Sequence, residues 1–276
     1  MRWFERLFKF YLDASVHVAF AVCALYFVSI ELLKVQTNWS LAGFLFFGTI
    51  VCYNFIKFGV EAEKYLIVEK PYHKLIQALS FISFGFAAFF FFKLPLNLWW
   101  VISGLMGVSV LYAIPLLPKA KNLRSFAGLK TFLVAFVWMG CTVLLVVVEN
   151  NINFSWDIGV LMFQRFLLVL ILLLPFEIRD MKFDKPELKT LPQRIGIAKT
   201  KIVGYLFVGF YIALEFLKDS TSSRTIAIEL ILSGLLWYVL YKTKENQKKY
   251  FYSFWVESIP FIYFLLLQCQ VNIVPL

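Results

Sequence analysis

Three carboxylates, Glu177, Asp180 and Asp184, stand in the stretch from Pro175 to Lys201, PFEIRDMKFDKPELKTLPQRIGIAKTK. It follows an apolar run long enough to cross a bilayer. On a continuing helix the three fall at i, i+3 and i+7 and share one face. Lys182, Lys185, Lys189, Arg194, Lys199 and Lys201 come with or just after them. Carboxylates at a membrane boundary offer hard oxygen ligands to magnesium, which commonly links one or two of them to substrate phosphates. The cations behind them suit the phosphates. For any one carboxylate, a solvated helix end paired with a lysine explains as much. Three on one face at membrane depth point instead to a site, because ionisable groups there are costly and usually functional.

Two further stretches carry polar groups at the same boundary. In Tyr53–Lys64, YNFIKFGVEAEK, Asn54 falls about one turn inside an apolar run, where its amide needs a partner. Glu61 shares a face with Asn54 and Lys57 if the helix survives Gly59, whereas Glu63 and Lys64 read as surface charge. In Tyr112–Lys130, YAIPLLPKAKNLRSFAGLK, Pro115 and Pro118 end a run, and Lys119, Lys121, Arg124 and Lys130 make a basic loop. Topology alone accounts for these cations; opposite an acidic metal site they also suit a diphosphate. Arg165, about two turns inside an apolar run, has three options: to reach outward, to pair with a buried carbonyl, or to line a cavity. His17 reads as a packing histidine and His73 as an interface residue. The chain has no Ser/His/Asp motif, no phosphate-binding glycine loop and no metal-site histidine pair.

The elements that must position these groups are membrane helices. Of the 276 residues, 61% are apolar and only 16% charged, and apolar runs of roughly twenty residues recur. This implies an all-α, polytopic membrane bundle and a single integral membrane domain over 1–276. It leaves no sizeable soluble domain and makes the net charge of +10 a property of loops at anionic lipid, not of a nucleic-acid binder. Cys23, Cys52, Cys141 and Cys269 lack ligand-like spacing and read as buried thiols. Residues 1–12 form an amphipathic pattern suited to a helix in the interface. Nine spans follow, near 14–33, 40–58, 75–93, 97–117, 126–148, 158–178, 201–217, 224–242 and 251–270. Cytoplasmic loops are expected at about 58–74, 118–126, 179–200 and 242–250. The alternate faces hold 22 and 4 Lys/Arg, which predicts a cytoplasmic N-terminus and an external C-terminus. The paired helix breaks and internal repeats of transporters are not evident.

With nine spans and the segment EIRDMKFDKPELKTLPQRIG, the chain resembles the UbiA-type intramembrane prenyltransferases. Glu177, Asp180 and Asp184 match that family's second acidic motif, after the sixth span. Thr190, Leu191, Pro192, Arg194 and Gly196 match the TLPxRxG-like segment behind it. Tyr112, Pro115 and Lys119 resemble the loop after span four. The first motif, NxxxDxxxD after span two, is altered: Asn54 is kept, but Phe58 and Ala62 stand where aspartates are expected. The resemblance implies transfer of a polyprenyl group from its diphosphate to an aromatic or other lipid-pathway acceptor, with a reduced magnesium site. Asp180 and Asp184 are then catalytic, and Glu177, Asp180 and Asp184 hold magnesium. Asn54, Lys119, Lys189 and Arg194 bind the substrate, with Glu61 or Glu63 as possible replacements for the lost aspartates. The altered motif also fits a different class: a non-catalytic membrane protein of this fold that binds an isoprenoid or quinone-like lipid.

Overall fold

The structure is a computed structural model and describes residues 2–60, 71–113, 129–182, 190–248 and 250–269. Among these the chain forms ten helices and no strand. A short helix α1, Arg2–Asp13, precedes α2 (Val16–Leu33), α3 (Trp39–Asn54), α4 (Pro71–Phe91) and α5 (Leu96–Ala113). Then come α6 (Leu129–Glu149), α7 (Trp156–Asp180), α8 (Leu191–Glu215), α9 (Ser223–Lys242) and α10 (Phe251–Gln268). Eight of them are long and apolar enough to cross a membrane. The ninth expected span is α5, whose apolar stretch Leu96–Leu111 is shorter among the described residues. The chain is thus an all-helical, multi-pass membrane bundle.

Polar residues set the helix starts remote from the basic loops. Asn38 accepts from the Ser40 and Leu41 amides at 2.8 and 3.1 Å, opening α3. Ser155 and Ser222 cap α7 and α9 in the same way, satisfying amides that lipid cannot. The seventh span is longer than its apolar run suggests. Its helix begins at Leu191, within the stretch expected as loop, because Gln193 Oε1 accepts from the Thr190 amide at 3.0 Å and Pro192 sits in the first turn.

Helices α2 and α7 form the interior. Leu25 and Val28 of α2 share a buried cluster with Leu167–Leu172 and Leu174 of α7, Tyr211 of α8, Leu236 of α9 and Tyr263 of α10. The other face of α2, with Val22, Tyr26 and Ile30, packs on Leu41 and Leu45 of α3 and Leu98 and Ile102 of α5. Helix α4 presents Phe81, Phe84 and Phe89 outward, as a lipid-facing helix should. Arg165 is buried in this interior. It takes the buried-carbonyl option, donating to Leu25 O at 2.6 Å and to the hydroxyls of Thr142 and Ser29, each at 3.2 Å.

Among the described residues three π-helical turns interrupt the bundle, at Phe55–Val60, Gly140–Leu144 and Phe251–Val256. Such turns shift the register of the side chains beyond them and recur at functional sites. The first follows Asn54 directly, and the third ends next to Glu257.

Candidate functional site

Helix α7 runs unbroken through Pro175 to Asp180, so Glu177 and Asp180 do stand one turn apart. Asp184 lies outside the described residues, as do Lys119, Lys189, Glu61 and Glu63. The two described carboxylates face different partners. Glu177 is buried, and Thr131 of α6 donates its hydroxyl to Glu177 Oε1. Asp180, about a third exposed, is clasped by its neighbour Arg179, with Nε to Oδ1 at 2.6 Å and Nη2 to Oδ2 at 3.0 Å. The Arg179 guanidinium also lies 5.1 Å from the Phe176 ring centroid and 5.3 Å from that of Tyr252. It is therefore fixed on three sides.

Glu177 opens onto a groove of about 370 Å³ between α6, α7 and α8. Thr131, Glu177 and Arg194 line its polar end; Leu129, Phe132, Leu170, Leu174, Val203 and Phe207 line the rest. Arg194 reaches it because of a break in α8. Gly196 has φ 79° and ψ 164°, a backbone region open essentially to glycine alone, so the first turn of α8 turns away from the long helix behind it. A Cβ placed on Gly196 would meet no atom within 4 Å, so its cost is purely conformational. Gly196→Ala is accordingly expected to destabilise the protein by about 1–3 kcal/mol. Thermal unfolding in detergent measures it; an unchanged melting temperature would show that the turn does not need glycine.

Asn54 is buried at the end of α3. Its Nδ2 donates to the Ala14 carbonyl at 3.1 Å and to Ser80 Oγ at 3.0 Å, while the buried Oδ1 has no partner among the described residues. Close by, Lys57 Nζ donates to the Asp13 carbonyl at 3.2 Å, and the Tyr72 hydroxyl donates to Asp13 Oδ2 at 2.7 Å. Just past the end of α7, Lys182 donates to Asn246 Oδ1 and lies 4.0 Å from Glu245. With Arg179 and Tyr252 these residues border a second, polar depression of about 310 Å³.

His17 is a packing residue, as its place in an apolar run suggests. Its ring is stacked between Phe254 and Phe261, with Nδ1 2.8 Å from the Tyr11 hydroxyl and Nε2 3.2 Å from the Phe254 carbonyl. Burial, and then the nearby charge of Glu257, raise the Tyr11 phenol above its ordinary range. Thr131 and Arg179 are the additions that the structure makes to the site; in the sequence Arg179 is only one more cation beside the acids.

Magnesium fits this donor set in type. The carboxylates of Glu177 and Asp180 and the unpartnered Asn54 Oδ1 are hard oxygen ligands. Among the described residues, however, no three His, Cys, Asp or Glu side chains converge on one point. What those residues do supply is an amphiphilic arrangement: acids and cations at one end, an apolar slot leading away.

No family model matches the sequence, and no curated protein matches it either. Solved structures do. A UbiA homologue from Archaeoglobus fulgidus, bound to GPP and Mg2+, is 10% identical with a TM-score of 0.60, over 95% of this chain and 100% of that one. A digeranylgeranylglyceryl phosphate synthase is 14% identical with a TM-score of 0.55, over 96% of each chain.

Proposed function

We propose that this chain, which has the UbiA-type fold, is a membrane prenyltransferase that moves a polyprenyl group from its diphosphate to an aromatic or other lipid-pathway acceptor. The observation that carries the reading is the groove beside Glu177: its polar end holds Thr131, Glu177 and Arg194, and its walls are hydrocarbon. A polyprenyl diphosphate has the same two-part character. That a homologue of the same fold binds GPP and Mg2+ supports the kind of ligand.

In this reading Glu177, Asp180 and Asp184 would hold magnesium, with Asn54, at the end of α3, as a neutral oxygen ligand. Magnesium, when bound, supplies positive charge that stabilises the departing diphosphate. Arg194, with Lys119 and Lys189 from the basic loops, would grip the diphosphate oxygens and keep the head group at the membrane boundary. The apolar walls would seat the chain and keep water from the allylic carbon as its C–O bond breaks, so that an electron-rich acceptor captures it first. Arg179 sets a condition on this scheme. It already neutralises Asp180 through both oxygens, which weakens the carboxylate as a metal ligand, and a diphosphate is the natural partner to draw the guanidinium away.

The same ion pair favours the second reading, a non-catalytic lipid-binding relative whose acidic end is permanently neutralised. Purified protein, labelled polyprenyl diphosphates and either magnesium or a chelator separate the two. Prenyl transfer predicts magnesium-dependent release of diphosphate. Lipid binding that survives chelation, with no release under any condition, would reject the enzymatic reading.

A further inference from the structure

The groove beside Glu177 ends at a band of phenylalanines. Along α7, Glu177, Leu174, Leu170, Phe166 and Phe163 follow one another at steps of three or four residues and so share one face. Leu174 and Leu170 line the groove with Glu177, and Thr131 and Phe132 line it from α6. The Phe166 ring lies 6.1 Å from that of Phe132 and is stacked on that of Phe163 at 6.2 Å. The Phe163 ring in turn lies 6.0 Å from that of Phe210 of α8. The four rings thus run from α6 across α7 to α8, beyond Leu170. Past them the face is open again: a Cβ on Gly159, one turn before Phe163, would meet no atom within 4 Å among the described residues.

A phenylalanine that only faces lipid needs no ring partner on the next helix, whereas these rings hold one another across three. From Glu177 to Leu170 is two turns of helix, about 10 Å. An isoprene unit lays four carbon–carbon bonds of about 1.5 Å along its chain and so covers roughly 5 Å. The walls above the band therefore match about two units. The α6 edge of the groove is open outward, with Leu129 36% and Phe132 50% exposed. A tail that meets the band has a way out there, and it loses little by leaving, since lipid is as apolar as the walls. We propose that Phe132, Phe166, Phe163 and Phe210 form the floor of a donor groove that holds about two isoprene units and turns the rest of a longer tail into the lipid. This floor rests on the prenyl diphosphate reading given above and deepens it: it sets how much of the donor the protein reads.

The test is competition binding to the full chain in lipid nanodiscs with magnesium. Labelled geranyl diphosphate, of two units, is displaced by unlabelled dimethylallyl, geranyl and farnesyl diphosphates, of one, two and three. In wild type, geranyl should bind about tenfold or more tighter than dimethylallyl, because its second unit fills the groove. Val203→Phe, which adds bulk to the groove wall, should shrink that advantage severalfold. Phe132→Ala and Phe166→Ala open the floor from two different helices. In each, the ratio of farnesyl to geranyl affinity should rise about threefold or more over wild type, because the third unit then packs against protein. Comparing the ratio between proteins cancels the tail's own preference for lipid. Phe132→Leu and Phe166→Leu, which keep an apolar side chain, serve if either alanine variant fails to fold. A ratio left unchanged by opening the floor, or geranyl no tighter than dimethylallyl in wild type, overturns the floor alone. Wild type that binds no labelled geranyl diphosphate overturns the prenyl diphosphate reading with it.

Discussion

Asp180→Asn is expected to lower the rate of diphosphate release by about 10²–10³-fold, with KM within a few-fold of wild type. The substitution keeps the shape of the side chain and removes its charge. In the proposed site it would take away a magnesium ligand, whose effect would be felt only as charge develops on the departing diphosphate. It also releases Arg179, which now holds both Asp180 oxygens at 2.6 and 3.0 Å. A guanidinium freed in this way can bind the ground-state diphosphate at least as well as before, so affinity should survive while turnover falls. Glu177→Gln should cost less, since an amide oxygen can still accept from the Thr131 hydroxyl. Steady-state kinetics of the two variants beside wild type decide the matter. If Asp180→Asn turns over at the wild-type rate, Asp180 has no part in the chemistry; if KM rises instead of kcat falling, its role is to bind the substrate alone.

The bundle was legible in the sequence because each span leaves its own local trace. Lipid demands a closed hydrogen-bond ladder, so an apolar run such as that of α7 can only be a helix. Even Pro175 does not break it. The start of α8 was masked by composition. Gln193, Arg194 and Lys199 make Leu191–Thr200 look like a loop, although Thr190 and Gln193 carry a capping spacing that marks a helix start. The directions of the site carboxylates were not legible. Residues at i and i+3 share a face, yet Asp180 is the last residue of its helix, where it can turn to the adjacent Arg179. Glu177 is claimed instead by Thr131, a contact that depends on how α6 crosses α7. Arg179 likewise meets the Tyr252 ring only because the end of α7 arrives beside the start of α10. Local pattern specifies elements, and only packing specifies such meetings.

The largest loss of stability is expected away from this site, at Glu229. Its carboxylate is buried in the bundle, and the hydroxyls of Tyr211, at 2.5 Å, and Tyr263 both donate to it. The two tyrosines and Glu229 are also within electrostatic reach of Arg165. Glu229→Leu removes a carboxylate within electrostatic reach of Arg165 and strands two phenolic donors in an apolar interior, so the expected cost is about 3–5 kcal/mol. Arg165→Leu should cost less. The hydroxyls that Arg165 meets keep other bonds: Ser29 donates to Leu25 O at 3.2 Å and Thr142 to Trp138 O at 2.7 Å, so neither loses its own acceptor. The carboxylate left behind can also become neutral by taking up a proton, whereas a guanidinium left without its carboxylate cannot lose one. That asymmetry predicts a ranking, with Glu229→Leu the worst. It also predicts a double variant well short of the sum of the two singles, because the second substitution removes the charge that the first had stranded. Thermal unfolding of the three variants in one detergent reads both the ranking and the coupling. Equal losses that simply add would mean that Arg165 and Glu229 stabilise the bundle independently.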